Sequence, residues 1–408
     1  MKHATLLGLM TIAVALALAW TATPAQALVM LQCPEDTDGI DTDGDGDDAN
    51  DNVCVDLAAG DGFVDMADGE LMYSFGFSDV TGLPEDEIMM AGMLAASAPA
   101  PTIEVREGQN LFINLTNVGM LFRPDLFDPH TVHFHGFPQA AAVFDGVPDA
   151  SISINMGSSI TYYYQLVEPG TFFYHCHVEA TEHIQMGMIG NLWVRPIQDQ
   201  GAPITYQGRS YHQYAYNDGD GSTGYDRAYP IQLTGFDPDF HDAEIAVQPL
   251  PMAMLSDKYP LINGRGYPDT INPNPLPNSF DGHESQPVSS LITATQGERV
   301  LLRISNVSTM NYFTISVLGL PMQVIARGAR LLRSASGANL YYQTNSVTLG
   351  GGEAIDVIVD TANVPPGTYV LYTTNLNFLS NDQEDYGGLM TEFVVTAPAS
   401  AAGIRRAK

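Results

Sequence analysis

Between Gly170 and His177 the chain reads GTFFYHCH, a β-rich run that ends in three metal-ligand side chains on consecutive residues. Successive side chains of a strand point to opposite faces, so His175 and His177 share one face and Cys176 takes the other. One strand then serves two sites, and the fold has to supply partners on both sides of it. Upstream, HTVHFHG obeys the same parity: His133 and His135 fall together and His130 opposite, provided no bulge intervenes. With the downstream HIQMGM, the expected first set is His130, Cys176, His183 and Met188, and the second is His133, His135, His175 and His177.

Six of the ten histidines crowd into these segments, with one thiol and Met188 beside them. Imidazole, thiolate and thioether together point to copper, because Cys with two His and a weakly held axial Met is the blue-copper ligand set. Cys176 is joined through the backbone to both flanking histidines, which gives an electron on a first copper a short covalent route to a second site.

The rest of the chain reads as strands. With 38 Gly, 26 Pro and 19 Tyr, the composition favours short strands joined by turns over helices. From Pro101, PTIEVREGQNLFINLTNV alternates apolar and polar residues, ITYYYQL and GTFFYH follow, and the series closes at NLWVRP near Ile197. A second series, SLITATQGERVLLRISNV, YFTISVLGL, MQVIA, VTLGGGEAIDVIVD and GTYVLYTTN, repeats the class, so the expected fold is all-β with two sandwich domains. The expected boundaries are a leader over 1–27, an acidic disulfide loop over 28–57, a copper-binding domain over 58–197 and a connector over 198–255. A second domain without copper-ligand motifs over 256–396 and a disordered tail over 397–408 complete the chain.

Met1-Lys2-His3, the apolar run from Ala4 to Trp20 and Ala25-Gln26-Ala27 have the form of a secretory signal, which predicts a periplasmic or secreted protein with no membrane span. In an oxidising compartment Cys33 and Cys54 can pair, and Cys176 is left as a free thiol. Between the pair lie Glu35, Asp36, Asp38, Asp41, Asp43, Asp45, Asp47, Asp48 and Asp51 with interspersed glycines. Such a run can wrap a hard cation, so the 33–54 loop is a candidate structural calcium site, with a solvated acidic loop as the alternative. It resembles the aspartate repeats of thrombospondin type 3 modules. A formal net charge of -31, from 16 Lys+Arg against 47 Asp+Glu, excludes nucleic acid and anionic lipid as partners.

HTVHFHG, DGVP at Asp145 to Pro148, GTFFYHCH and HIQMGM resemble the copper motifs of multicopper oxidases, and ERVLLRISNV, EAIDVIVD and PPGTYVLYTTN resemble their copper-free cupredoxin domain. The resemblance covers about Pro101 to Val395. It implies two cupredoxin-like Greek-key β-sandwiches, a type 1 copper at His130, Cys176, His183 and Met188, and trinuclear type 2/type 3 ligands at His133, His135, His175 and His177. Asp145 and Glu179 fall where the family has carboxylates that help deliver protons to bound oxygen; hydrogen bonding to loop backbone is their alternative role. The implied activity is laccase-like: a small reducing substrate or metal ion gives single electrons at the type 1 copper, and dioxygen is reduced to water. Two other functions compete. One is an electron carrier or copper-binding protein without a working cluster. The other is a copper nitrite reductase, a family with an aspartate where His133 stands and no counterpart of His177.

Two departures from the family pattern stand out. Val178 to Glu182 put five residues between HCH and the next histidine, where the family usually has three. The family's trinuclear cluster also uses eight histidines, and this domain supplies four. His212, His241 and His283 belong to no HxH pair, and no histidine follows His283. Two copies would supply eight, so a symmetric dimer meeting first domain to first domain is the expected assembly.

Overall fold

The computed structural model describes residues 33–34, 51–138 and 140–398. The leader, the acidic stretch 35–50 with most of its candidate calcium ligands, and the tail from 399 lie outside the described residues. The Cys33–Cys54 disulfide is formed, with Cα atoms 5.8 Å apart, and Cys176 is a buried free thiol. Among the described residues, no helix is long and apolar enough to cross a membrane.

Among the described residues, the first sandwich has eight strands: β1 (Asn52–Asp65), β2 (Leu71–Asp79), β3 (Ala100–Arg106), β4 (Asn110–Gly119), β5 (His133–His135), β6 (Ser159–Gln165), β7 (Gly170–His175) and β8 (Ile189–Arg195). They form two sheets, in the orders β2-β1-β4-β6 and β3-β8-β7-β5. Strand texture in the sequence begins at Pro101, yet β1 and β2 precede it. Their middles, AAGDG and SFGF, look like turn material but are buried on both faces. The glycines are there for close approach: a Cβ on Gly60 would lie 2.7 Å from Val118, and one on Gly76 2.7 Å from the backbone of Ser97.

The second sandwich packs a seven-stranded sheet against a five-stranded one. Its core gathers Ile231, Leu233, Ile304, Phe313, Val357 and Phe393. The stretch 198–255, expected to be a connector, contributes a ten-residue strand to it. Arg227–Phe236 pairs in parallel with Arg299–Asn306 near the centre of the larger sheet. The same stretch then turns back to the first sandwich, whose core takes in Phe240 and Leu255.

A buried polar cluster ties the two sandwiches together. Asp356 of the second accepts hydrogen bonds from the hydroxyls of Thr171 on β7 and of Tyr216. Arg303 donates to Thr171 Oγ1 at 2.9 Å and lies 5.1 Å from the centre of the Trp193 ring on β8. Breaking a buried network of this kind by removing one charge costs several kcal/mol, ~3–5, because the other is left unpaired. β7, which carries one of the ligand motifs, and its neighbour β8 are thus anchored against the second sandwich.

Candidate metal centre

β5 and β7 pair antiparallel, with His133 opposite His175 and His135 opposite Phe173. Cross-strand neighbours share a face, so the imidazoles of His133, His135 and His175 converge. Beyond the end of β7, Cys176 turns into the first core and His177 turns out. His177 lies with its ring 4.9 Å from that of His133 and 5.6 Å from that of His175. The eight expected ligands therefore separate into two groups on opposite sides of one short segment.

The first group is sealed. His130, Cys176, His183 and Met188 are each 0% exposed. His183 Nδ1 lies 3.1 Å from Cys176 Sγ and His130 Nδ1 lies 3.9 Å from it. The amide of Thr131 donates to the sulfur at 3.4 Å. Burial alone would raise the Cys176 thiol, but His183 and His130 beside it bring it down to about 5. Burial likewise opposes charge on His183, yet Cys176 and Asp128 raise it well above its ordinary value. Each of Cys176 and His183 thus favours the charged form of the other.

The longer spacer before His183 has a structural cause. Residues 180–186 form a short helix, α1 (Ala180–Met186), entered through Glu179 in a left-handed conformation (φ 43°) and left through Gly187 (φ 114°). The turn of helix swings His183 back over Cys176. The Met188 amide then donates to His183 O at 2.9 Å, and the Cys176 amide donates to Met188 O at 3.2 Å. A side chain at 187 would come within 2.9 Å of the Phe75 carbonyl, so glycine is required there.

The second group is open. His133, His135, His175 and His177 line a cleft of about 460 Å³ whose far wall is the second sandwich, through Val307 to Tyr312 and Gly351–Gly352. His133 Nδ1 sits 2.6 Å from the Asp145 carbonyl, and His175 Nδ1 sits 2.7 Å from the Cys176 carbonyl. A carbonyl only accepts, so both Nδ1 atoms carry the proton and both Nε2 atoms present lone pairs. Burial lowers His133 and His135 and pushes His175 down to about 3, which keeps these rings neutral and ready to ligate. One ring nitrogen from each of His133, His135 and His175 lies within 4.8 Å of the others.

Two carboxylates that the sequence motifs do not mark stand behind the sealed group. Asp128 Oδ2 lies 3.1 Å from His183 Nε2. Burial would raise Asp128, but His183 holds it below the usual carboxylate range. Glu182 shares the same enclosure; burial, with Glu244, Glu179 and Asp128 around it, pushes it up to about 7. Asp128 stands two residues before His130 and Glu182 one before His183, a proximity that was their only signal in the sequence.

The two carboxylates that the motifs do mark are placed differently. Asp145 holds His133 through its carbonyl, and its Oδ1 lies 3.8 Å from His133 Nδ1. Glu179 is exposed, and its carbonyl accepts the amides of Glu182 and His183 at the start of α1. His212 is exposed, and neither it, His241 nor His283 joins a ligand group among the described residues. His241 is buried on the helix Pro238–Ile245 with both ring nitrogens facing carbonyls, those of Tyr73 and Gln185.

A sheet sandwich that buries a thiolate between two imidazoles at one end of its core is a cupredoxin-type copper protein in its architecture. Family models described as multicopper oxidase match residues 83–199 and 243–396. The chain belongs to the multicopper oxidase family. Laccase-3 of Thanatephorus cucumeris is 25% identical over 286 residues, 68% of this chain and 42% of that protein. L-ascorbate oxidase of Cucurbita maxima is 23% identical over 287 residues, 66% of this chain and 42% of that protein. The chain thus spans about two fifths of the length of these curated relatives. Among solved structures, a blue copper oxidase from Nitrosomonas europaea superposes with a TM-score of 0.61 at 23% identity, over 84% of this chain and 85% of that one. A copper nitrite reductase from Nitrosomonas europaea shares the fold at a TM-score of 0.56 and 18% identity, over 84% and 94%.

Proposed function

We propose that this chain is an exported copper oxidase. It takes single electrons from a small reducing substrate or metal ion at a type 1 copper on His130, Cys176, His183 and Met188. It passes them to dioxygen at a type 2/type 3 site on His133, His135, His175 and His177. One observation carries the proposal: Cys176 lies in one ligand group and both residues bonded to it lie in the other.

The residues fit the metal. A buried thiolate, two imidazoles and a thioether are soft and borderline donors that suit copper, and the four imidazoles of the open group suit it too. Copper bound there supplies one-electron chemistry and a place for oxygen to be reduced. The chain's own residues do the rest. Cys176, held by the Thr131 amide, keeps its sulfur in a site closed to water. The Asp145 and Cys176 carbonyls fix the tautomers of His133 and His175, so that Nε2 of each faces the cleft. Asp145 and Glu179 bring protons to the cleft, Asp145 from its position beside His133.

Four histidines are half of the family's full set, so a second copy meeting this one first domain to first domain completes the cluster. The test is a copper count on the purified protein with its mass, visible and EPR spectra and oxygen uptake. More than one copper per chain, with a blue band and oxygen reduction, supports the oxidase. A single copper per chain in every assembly, without oxygen uptake, makes the protein an electron carrier. A monomer that holds three cluster coppers and reduces oxygen refutes the dimer.

A further inference from the structure

The second sandwich carries no ligand pair, yet it touches the open histidine group at one defined point. The turn Gly350–Gly352 between the strands Val347–Leu349 and Glu353–Asp360 consists of three glycines in a row. A Cβ on Gly350 would lie 2.6 Å from the Tyr312 ring, and one on Gly351 2.4 Å from the Ser308 carbonyl. One on Gly352 would lie 3.1 Å from His135 Nε2 and 3.2 Å from its Cε1. The bare backbone therefore seats the turn directly against the edge of the His135 ring.

The rest of that ring is held as well. Its face stacks on Phe173, with centroids 4.6 Å apart and planes 16° from parallel, and Phe173 packs in turn on Val307 of the second sandwich. With Nε2 against the glycine turn, Nδ1 is the atom left to face the site. It lies 3.4 Å from His175 Nε2, within the group that His133 completes. His133 and His175 present Nε2, so His135 is the member that has to be turned the other way.

We propose that Gly352 is a positioning residue for the open copper site: the copper-free sandwich fixes His135 so that it ligates through Nδ1. The proposal rests on the copper reading of the four histidines given above. It makes the second sandwich a working part of that site, acting in the same chain through the absence of a side chain. Gly352 has φ +90°, so an alanine there is strained as well as crowding the ring. Gly319 separates the two effects, because it has φ +80° and nothing within 4 Å of its would-be Cβ.

The test compares copper content, visible and EPR spectra and melting temperature in the wild-type, Gly352→Ala and Gly319→Ala proteins. Gly352→Ala is expected to keep the blue band and to lower copper affinity of the open site at least about tenfold, the scale on which outer-shell changes act. Gly319→Ala lowers the melting temperature and keeps both sites. Equal copper loading in the two variants overturns the proposal. Should Gly352→Ala fail to fold, long-range 15N–1H spectra of the wild-type protein loaded with Cu(I) decide, with His135 identified through His135→Gln. A metal-bound Nδ1 and a protonated Nε2 on His135 support the proposal, and a metal-bound Nε2 overturns it. Wild-type protein that binds no copper at the open group sinks the oxidase reading along with it, whereas a loaded wild type with an unaffected Gly352→Ala sinks the positioning role alone.

Discussion

His130, Cys176 and His183 are closed off inside the first core, whereas His133, His135 and His177 look into a cleft with the second sandwich as its far wall. The sealed group sets the Cys176 thiol, brought down to about 5, against His183, raised above its ordinary value, in a dry site with Asp128 behind it. In the open group, burial lowers His133 and His135 and favours their neutral rings at the edge of solvent. A dry, fully packed site is suited to electron transfer, since no water or small molecule can enter and little has to rearrange. A cleft of neutral imidazoles is suited to binding a small molecule. The contrast teaches that two chemically different environments can be kept apart by the thickness of one β-strand.

The largest test of this division is Cys176→Ser. Under the proposed assignment the variant is expected to fold by circular dichroism and to lose the blue absorption entirely, because the thiolate would be the charge-transfer ligand; a surviving band would dissolve the division at its centre. His177→Ala should act on the other side alone. Oxygen uptake falls by at least about 100-fold, the upper end of what losing even an outer contact costs a metal site, while the blue band stays. A band that disappears with His177 would mean that the two groups are one.

Asp128→Asn sharpens the sealed side. Removing the charge at 3.1 Å from His183 Nε2 is expected to weaken copper binding by about 10–100-fold and to raise the copper potential, with the open site unaffected. An unchanged potential in voltammetry would reduce Asp128 to a packing residue.

Copper uptake by the sealed group also depends on pH with a definite sign. His183 is raised above its ordinary value and is protonated below it, so copper has to displace that proton and affinity rises with pH by about tenfold per unit. Below about 5 the Cys176 thiolate is protonated too, and the dependence steepens to two protons. A titration of the blue band against pH that stays flat from 4 to 8 contradicts the thiolate–imidazolium pair. The smallest effects are expected from Asp145→Asn and Glu179→Gln, each slowing turnover by less than about tenfold and most at high pH, where proton supply limits the rate. Equal activity at every pH assigns both residues to backbone support.

The separation of the ligands was legible in the sequence because strand parity is a strictly local rule: GTFFYHCH and HTVHFHG dictate which side chains can meet. The all-β class was legible for the same reason, in alternation and turn residues. The first two strands were not, since AAGDG and SFGF are glycine-rich where backbone has to approach backbone, and that need is set by Val118 and Ser97, far away in the chain. The strand Arg227–Phe236 was hidden likewise, its Tyr-Pro start reading as linker until it pairs with Arg299–Asn306.

By itself the sequence determined which side chains are available as ligands, the side of the strand each occupies and the direct covalent link between the two groups. Tertiary structure alone decided that Asp128 and Glu182 enclose His183, that a turn of helix absorbs the longer spacer, and that Gly352, in a three-glycine turn of the second sandwich, lies against His135. The physical reason is range. Parity and residue chemistry act between neighbours along the chain, whereas burial, charge pairing and close backbone approach depend on which distant segments the folded core brings together.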